Sequence, residues 1–96
     1  MKKFDENYVL LKDMVKDDYY PKFLVEKVKD CITPVIALLE SGETDKEVIQ
    51  AKLDEMTLAI NDLQDEFYEN DSEIETVARD SIGVTVGYIL DWFGID

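Results

Sequence analysis

The chain has 96 residues, 46% of them apolar, with 23 acidic side chains against 10 basic ones, no histidine and a net charge of −13. That composition suits one domain with a single core, and phosphate backbones and anionic lipid surfaces repel such a charge, which excludes nucleic acid and membranes as direct partners. Without histidine, and with Cys31 the only cysteine, Ser-His-Asp and Cys-His nucleophile systems, His-zinc sites and thiolate clusters are ruled out; any catalysis would need carboxylates, Tyr, Lys or a hard cation held by oxygen.

In chain order, the spacing predicts four helices. Phe4, Tyr8, Leu11 and Val15, with Leu10 and Met14 beside them, predict a first helix from about Glu6 to Val15. KDDYYP ends it, because Pro21 forces Tyr20 out of the α region and then suits the first turn of a new helix. The second helix runs from about Pro21 to Leu39. Leu24, Val28, Cys31, Val35 and Leu38 form its face, widened by Phe23, Ile32 and Leu39. Pro34 lies inside this pattern and should kink the helix near Asp30 or split it. Ser41-Gly42 stops it, with Gly42 as a left-handed cap.

Thr44-Asp-Lys-Glu47 reads as a capping box opening the third helix, whose seam is Ile49, Leu53, Met56, Ile60, Leu63 and Phe67. Asn70-Asp71 ends it. Ser72-Glu-Ile-Glu75 reads as a second capping box, followed by a stripe of Ile74, Val77, Ala78, Ile82, Thr85, Ile89 and Phe93. IGVTVGYIL is β-branched and carries two glycines, so strand competes there; helix is preferred because the period continues and a lone strand has no partner. The expected fold is all-α, a compact bundle of about four antiparallel helices spanning residues 1–96 as one domain. No apolar run nears the roughly 20 residues that span a bilayer. MKKFDENY lacks the apolar region of a secretory signal. A single cysteine forms no intrachain disulfide, which fits the cytoplasm.

The charge is concentrated. Residues 41–96 hold fifteen acidic and three basic side chains, whereas residues 1–40 are nearly balanced. Asp54 to Asp80 holds ten carboxylates and one cation, Arg79. On a helical wheel Glu47, Asp54, Glu55, Asp62, Asp65, Glu66 and Glu69 fall opposite the seam, so the plain reading is a solvated face. Glu73 and Glu75 would complement the dipole of the last helix's first turn. Yet like charges at i,i+4, such as Asp62 and Glu66, oppose helix stability, and a one-signed face suits a basic protein partner. Asp62, Asp65, Glu66, Glu69 and Glu73 are the candidate partner-binding residues. Small acidic helical immunity proteins that block cationic nucleases have this general character, by analogy of shape and charge only.

The rival reading is magnesium or manganese on the ExxE pair Glu66 and Glu69, as in all-α nucleotide pyrophosphohydrolases. The matching ExxD on a second helix is absent, and these carboxylates face away from the seam. An EF-hand reading of ENDSEIETVARD fails for want of the mid-loop glycine and closing glutamate. No cofactor is called for. Tyr19, Tyr20 and Phe23 read as a plug at one bundle end, Trp92 and Phe93 as core cover, and Cys31 as a small buried hydrophobe. Gly83 and Gly87, one turn apart, would let another helix or a second copy of the chain approach, and oligomeric state stays open.

YVLLKDMVKDDYYPKFLVEKVKD and NDLQDEFYENDSEIETVARDSI together resemble a small bacterial family, domain of unknown function fifty-seven thirteen. The resemblance spans roughly Asn7 to Ile82 and is most specific at DLQDEFYENDSEIET. It implies no activity, ligand or catalytic residue, only that the acidic segment is characteristic of the family. The sequence thus points to a binding or regulatory protein rather than an enzyme.

Overall fold

The structure is a computed structural model that describes residues 2–95. Its elements are α1 (Lys12–Lys16), α2 (Lys22–Glu40), α3 (Lys46–Asp62), α4 (Gln64–Glu69) and α5 (Thr76–Trp92). The described residues contain no strand, so the β-branched run of α5 is helical throughout. The fold is an all-α bundle. α2 packs most extensively on α3, and α1 bridges α5 and α2. No helix among the described residues is long and apolar enough to cross a membrane.

The third predicted helix is recovered as α3 and α4. Leu63 joins them in right-handed helical dihedrals (φ −78°, ψ −13°), and the Phe67 N–H still reaches the Leu63 carbonyl at 3.1 Å. Ile49, Met56, Ile60 and Phe67 of the seam are buried, with Leu53 and Leu63 packed at its margin. They face Leu24, Val28, Ile32, Val35 and Leu39 of α2, all buried.

Several expectations need correction. The first helix does not begin at Glu6. Leu11 sits in the left-handed region (φ 55°, ψ 41°) and α1 starts only after it. Phe4 and Tyr8 are spaced as a helical pair but belong to an irregular strap held against α5. Phe4 lies within about 6 Å of the rings of Tyr8, Tyr88, Trp92 and Phe93. Tyr8 stacks on Tyr88 at 4.0 Å. The Tyr88 hydroxyl donates to Asp5 Oδ2 at 2.8 Å and the Trp92 indole N–H to the Lys3 carbonyl at 2.8 Å.

Pro34 does not split α2, which runs from Lys22 to Glu40. Proline supplies no N–H for the Asp30 carbonyl, and the Thr33 hydroxyl lies 3.3 Å from that oxygen and 3.1 Å from the Lys29 carbonyl, so the freed acceptor gains a donor one residue away. The capping boxes are displaced. Asp45, not Thr44, caps α3 by accepting from the Glu47 N–H at 2.9 Å. Glu75, not Ser72, caps α5 by accepting from the Val77 and Ala78 N–H groups. Ser72 instead closes the end of α4: Asp71 turns left-handed (φ 58°), and the N–H groups of Ser72 and Asp71 donate to the Phe67 and Tyr68 carbonyls at 2.8 and 3.1 Å. The Ser72 side chain is buried, with its hydroxyl unpaired among the described residues.

The stripe of α5 is the predicted one but for Val77, which is exposed: Ile74, Ala78, Thr85 and Ile89 are buried, Ile82 and Phe93 pack against the core, and Ser81 joins the buried face. In α2, Phe23 is exposed while Cys31 and Leu38 are half-buried. The expected left-handed cap does form at Gly42 (φ 92°), and Gly94 (φ 72°) turns left-handed after α5 as well.

Phe67 is the largest fully buried side chain. Phe67→Ala should cost about 3–5 kcal/mol through lost burial and the cavity left behind, a large share of a small domain's stability. Urea unfolding followed by circular dichroism checks this; a loss under about 1 kcal/mol would mean that the α3–α4 seam is not the core.

Candidate functional site: an outward acidic stripe

The helical period that buries the seam also generates a second stripe on the far side. Glu55, Leu58, Asp62, Asp65 and Glu69 follow one another in steps of three and four. All five are exposed. Four are carboxylates. The fifth, Leu58, is 65% exposed, a large apolar side chain set among charges. Tyr68, beside the stripe, is 62% exposed.

The candidate residues therefore separate. Asp62, Asp65 and Glu69 share the exposed stripe. Glu66 stands at its edge, half-buried, with its Oε2 2.7 Å from Lys27 Nζ on α2. Glu73 lies outside the helical face, in the segment between α4 and α5, and is half-buried. Glu75 is occupied twice, by the α5 cap and by the Tyr20 hydroxyl. The described residues hold two further ion pairs, Lys29–Glu26 and Lys52–Glu55. The carboxylates of Asp62, Asp65 and Glu69 thus face solvent and join none of the ion pairs among the described residues. Leu58 and Tyr68 were overlooked because sequence reading tracked charge; the signal for Leu58 was its place in the same three-four spacing as the acids.

For metal chemistry the donor set is unsuitable. Among the described residues no three Asp, Glu or Cys side chains converge as a cation site, and the proposed ligand Glu66 already faces an ammonium. A magnesium or calcium centre needs several oxygens aimed at one point.

The aromatic plug divides. Tyr20 is 2% exposed and donates its hydroxyl to Glu75, while Tyr19 and Phe23 are exposed. Burial, and then the hydrogen bond to Glu75, push the Tyr20 phenol well above its ordinary value. The same hydrogen bond, with help from the cap N–H groups, holds the Glu75 carboxyl below its ordinary range. Burial, then the nearby charges of Asp30 and Asp62, raise the Cys31 thiol. A thiol so placed stays protonated at neutral pH and is a poor nucleophile.

The Tyr20–Glu75 pair predicts stability lost at both pH extremes. Glu75 ionises more readily folded than unfolded, so its contribution is present above about pH 4 and fades as pH falls through the lower folded value. Tyr20 holds its proton more tightly folded than unfolded. Above about pH 10 the unfolded chain releases a proton that the folded chain keeps, and stability falls as pH rises. Denaturation at stepped pH checks both limbs: Tyr20→Phe should flatten the alkaline one, and an unchanged slope would place its origin elsewhere. A second expectation concerns cations. At matched ionic strength Mg²⁺, Mn²⁺ and Ca²⁺ should raise the melting temperature gradually and alike, as screening does. Saturation by one ion at micromolar concentration, lost on changing Glu66 and Glu69 to Gln, would instead establish a metal centre.

Compared with known proteins, residues 4–96 match a family described as a family of unknown function (DUF5713). No curated protein and no solved structure matches the chain. The family match takes in the strap, all five helices and the acidic stripe, and the chain belongs to the DUF5713 family.

Proposed function

We propose that this protein is a small non-enzymatic binding or regulatory protein that presents the α3–α4 stripe to a basic protein partner. The observation that carries the reading is the stripe itself, in which an exposed Leu58 stands between Glu55 and Asp62, with Asp65 and Glu69 continuing the line. A solvated face chosen for stability alone mixes charges along the helix. Protein interfaces place an apolar anchor inside a polar rim, and the exposed Leu58 among carboxylates has that arrangement, with Tyr68 a second exposed apolar side chain further along the run. Rim carboxylates of one sign speed the encounter with a cationic surface and disfavour acidic competitors. Glu66 and Glu73 lie at the margin of this surface and contribute to its field rather than its centre. The cytoplasm is the compartment in which a single unpaired cysteine is most at home.

The magnesium-dependent hydrolase alternative has no such support, since its carboxylates do not converge. The test is paired capture from a lysate of the native host. The wild-type chain is compared with a folded variant carrying Asp62→Lys, Asp65→Lys and Glu69→Lys. A basic protein should be retained by the wild type and lost by the variant. With the purified pair, association should slow by about tenfold or more from low to physiological salt, and Leu58→Ser should speed dissociation. Equal recovery by both forms, or a rate insensitive to salt, would end the proposal.

A further inference from the structure

On a part of the molecule that shares no residue with the acidic stripe, the strap crosses α5 and leaves a cavity of about 330 Å³. It is lined by Tyr8, Val9, Lys12, Ser81, Val84 and Thr85, together with Asn7 and Asp13. The volume lies within the range of small-molecule sites.

The lining is unusual in its hydroxyls. Ser81 and Thr85 stand one turn apart on α5 and are 4% and 2% exposed. Thr85 Oγ1 accepts the Leu11 N–H at 3.0 Å, which leaves its own proton free to be given away. Ser81 lines the same cavity and makes no side-chain hydrogen bond to another described residue, so its hydroxyl is open to the cavity. Two such hydroxyls facing one cavity can both donate to an acceptor that enters from outside.

The remaining lining defines that acceptor. Lys12 adds a cation and takes part in none of the ion pairs among the described residues. Asp13 in the same lining opposes any anion, and a doubly charged group about twice as strongly as a singly charged one. Val9 and Val84, 51% and 65% exposed, would be covered by an apolar body, and the Tyr8 ring is held in place by its stack on Tyr88. Leu11 keeps its left-handed conformation directly beneath the crossing; side chains other than glycine hold that geometry only when the surroundings enforce it.

We infer that this cavity binds a small monocarboxylate with a short apolar body, its oxygens on Ser81, Thr85 and Lys12 and its body against Val9, Val84 and Tyr8. The inference stands apart from the proposed partner surface and survives or fails separately. The test is an amide-resolved NMR titration of the full chain with butyrate, 3-methylbutanoate and 3-phenylpropionate, each paired with its neutral amide. Saturable shifts should centre on residues 7–13 and 81–85. Ser81→Ala removes a hydroxyl that the fold leaves unpaired, so its melting temperature should hold or rise while affinity falls about tenfold. Lys12→Gln should weaken the carboxylates and leave the amides unchanged. Absence of saturation with all three acids, shifts centred elsewhere, or full affinity in Ser81→Ala would each overturn the inference.

Discussion

One buried hydrogen bond, from the Leu11 N–H to the Thr85 hydroxyl, decides how the first and last parts of the chain meet. Leu11 is fully buried in a left-handed conformation. A helix continuing back from α1 would carry Phe4 and Tyr8 around a cylinder. The left-handed residue redirects them along α5, where Tyr88, Trp92 and Phe93 receive them. Both the shape of the bundle and the cavity under the strap follow from that turn.

The other half of the molecule rests on a division of labour between two faces of one helical run. The seam Ile49–Phe67 buries its apolar side chains against α2, and the same period places Glu55, Leu58, Asp62, Asp65 and Glu69 in water. The core needs the first stripe; nothing in the core needs the second to carry a single sign. Mutual repulsion along it is weak at physiological ionic strength, so the fold tolerates the charge without depending on it. This independence leaves the outer face free to be shaped by a partner.

Legibility from sequence followed the strength of the local signal. The α3 seam was readable because six apolar residues keep one period without interruption. The outward direction of Asp62, Asp65 and Glu69 followed from the same wheel. The strap was misread because Phe4, Tyr8 and Leu11 copy helical spacing while making contacts some eighty residues away, and spacing records nothing about distant partners. The caps were misplaced because Thr44 and Ser72 satisfy a local pattern that Asp45 and Glu75 satisfy better in three dimensions. Ser81 and Leu58 escaped attention for opposite reasons: a polar residue turned inward and an apolar one turned outward both run against the sorting rule by which sequences are read.

The strap has a consequence for the order in which the chain can fold. α2 and α3 are neighbours in sequence, and their packing closes only a short loop, so that hairpin can form early. The contacts of Phe4, Asp5 and Tyr8 with Tyr88 and Trp92 span eighty residues or more and exist only once α5 has been made. During synthesis the segment Phe4 to Tyr8 therefore waits, its aromatic rings without these partners, until α5 emerges. For a small helical domain, this places the slowest closure at the two ends of the fold rather than at its centre.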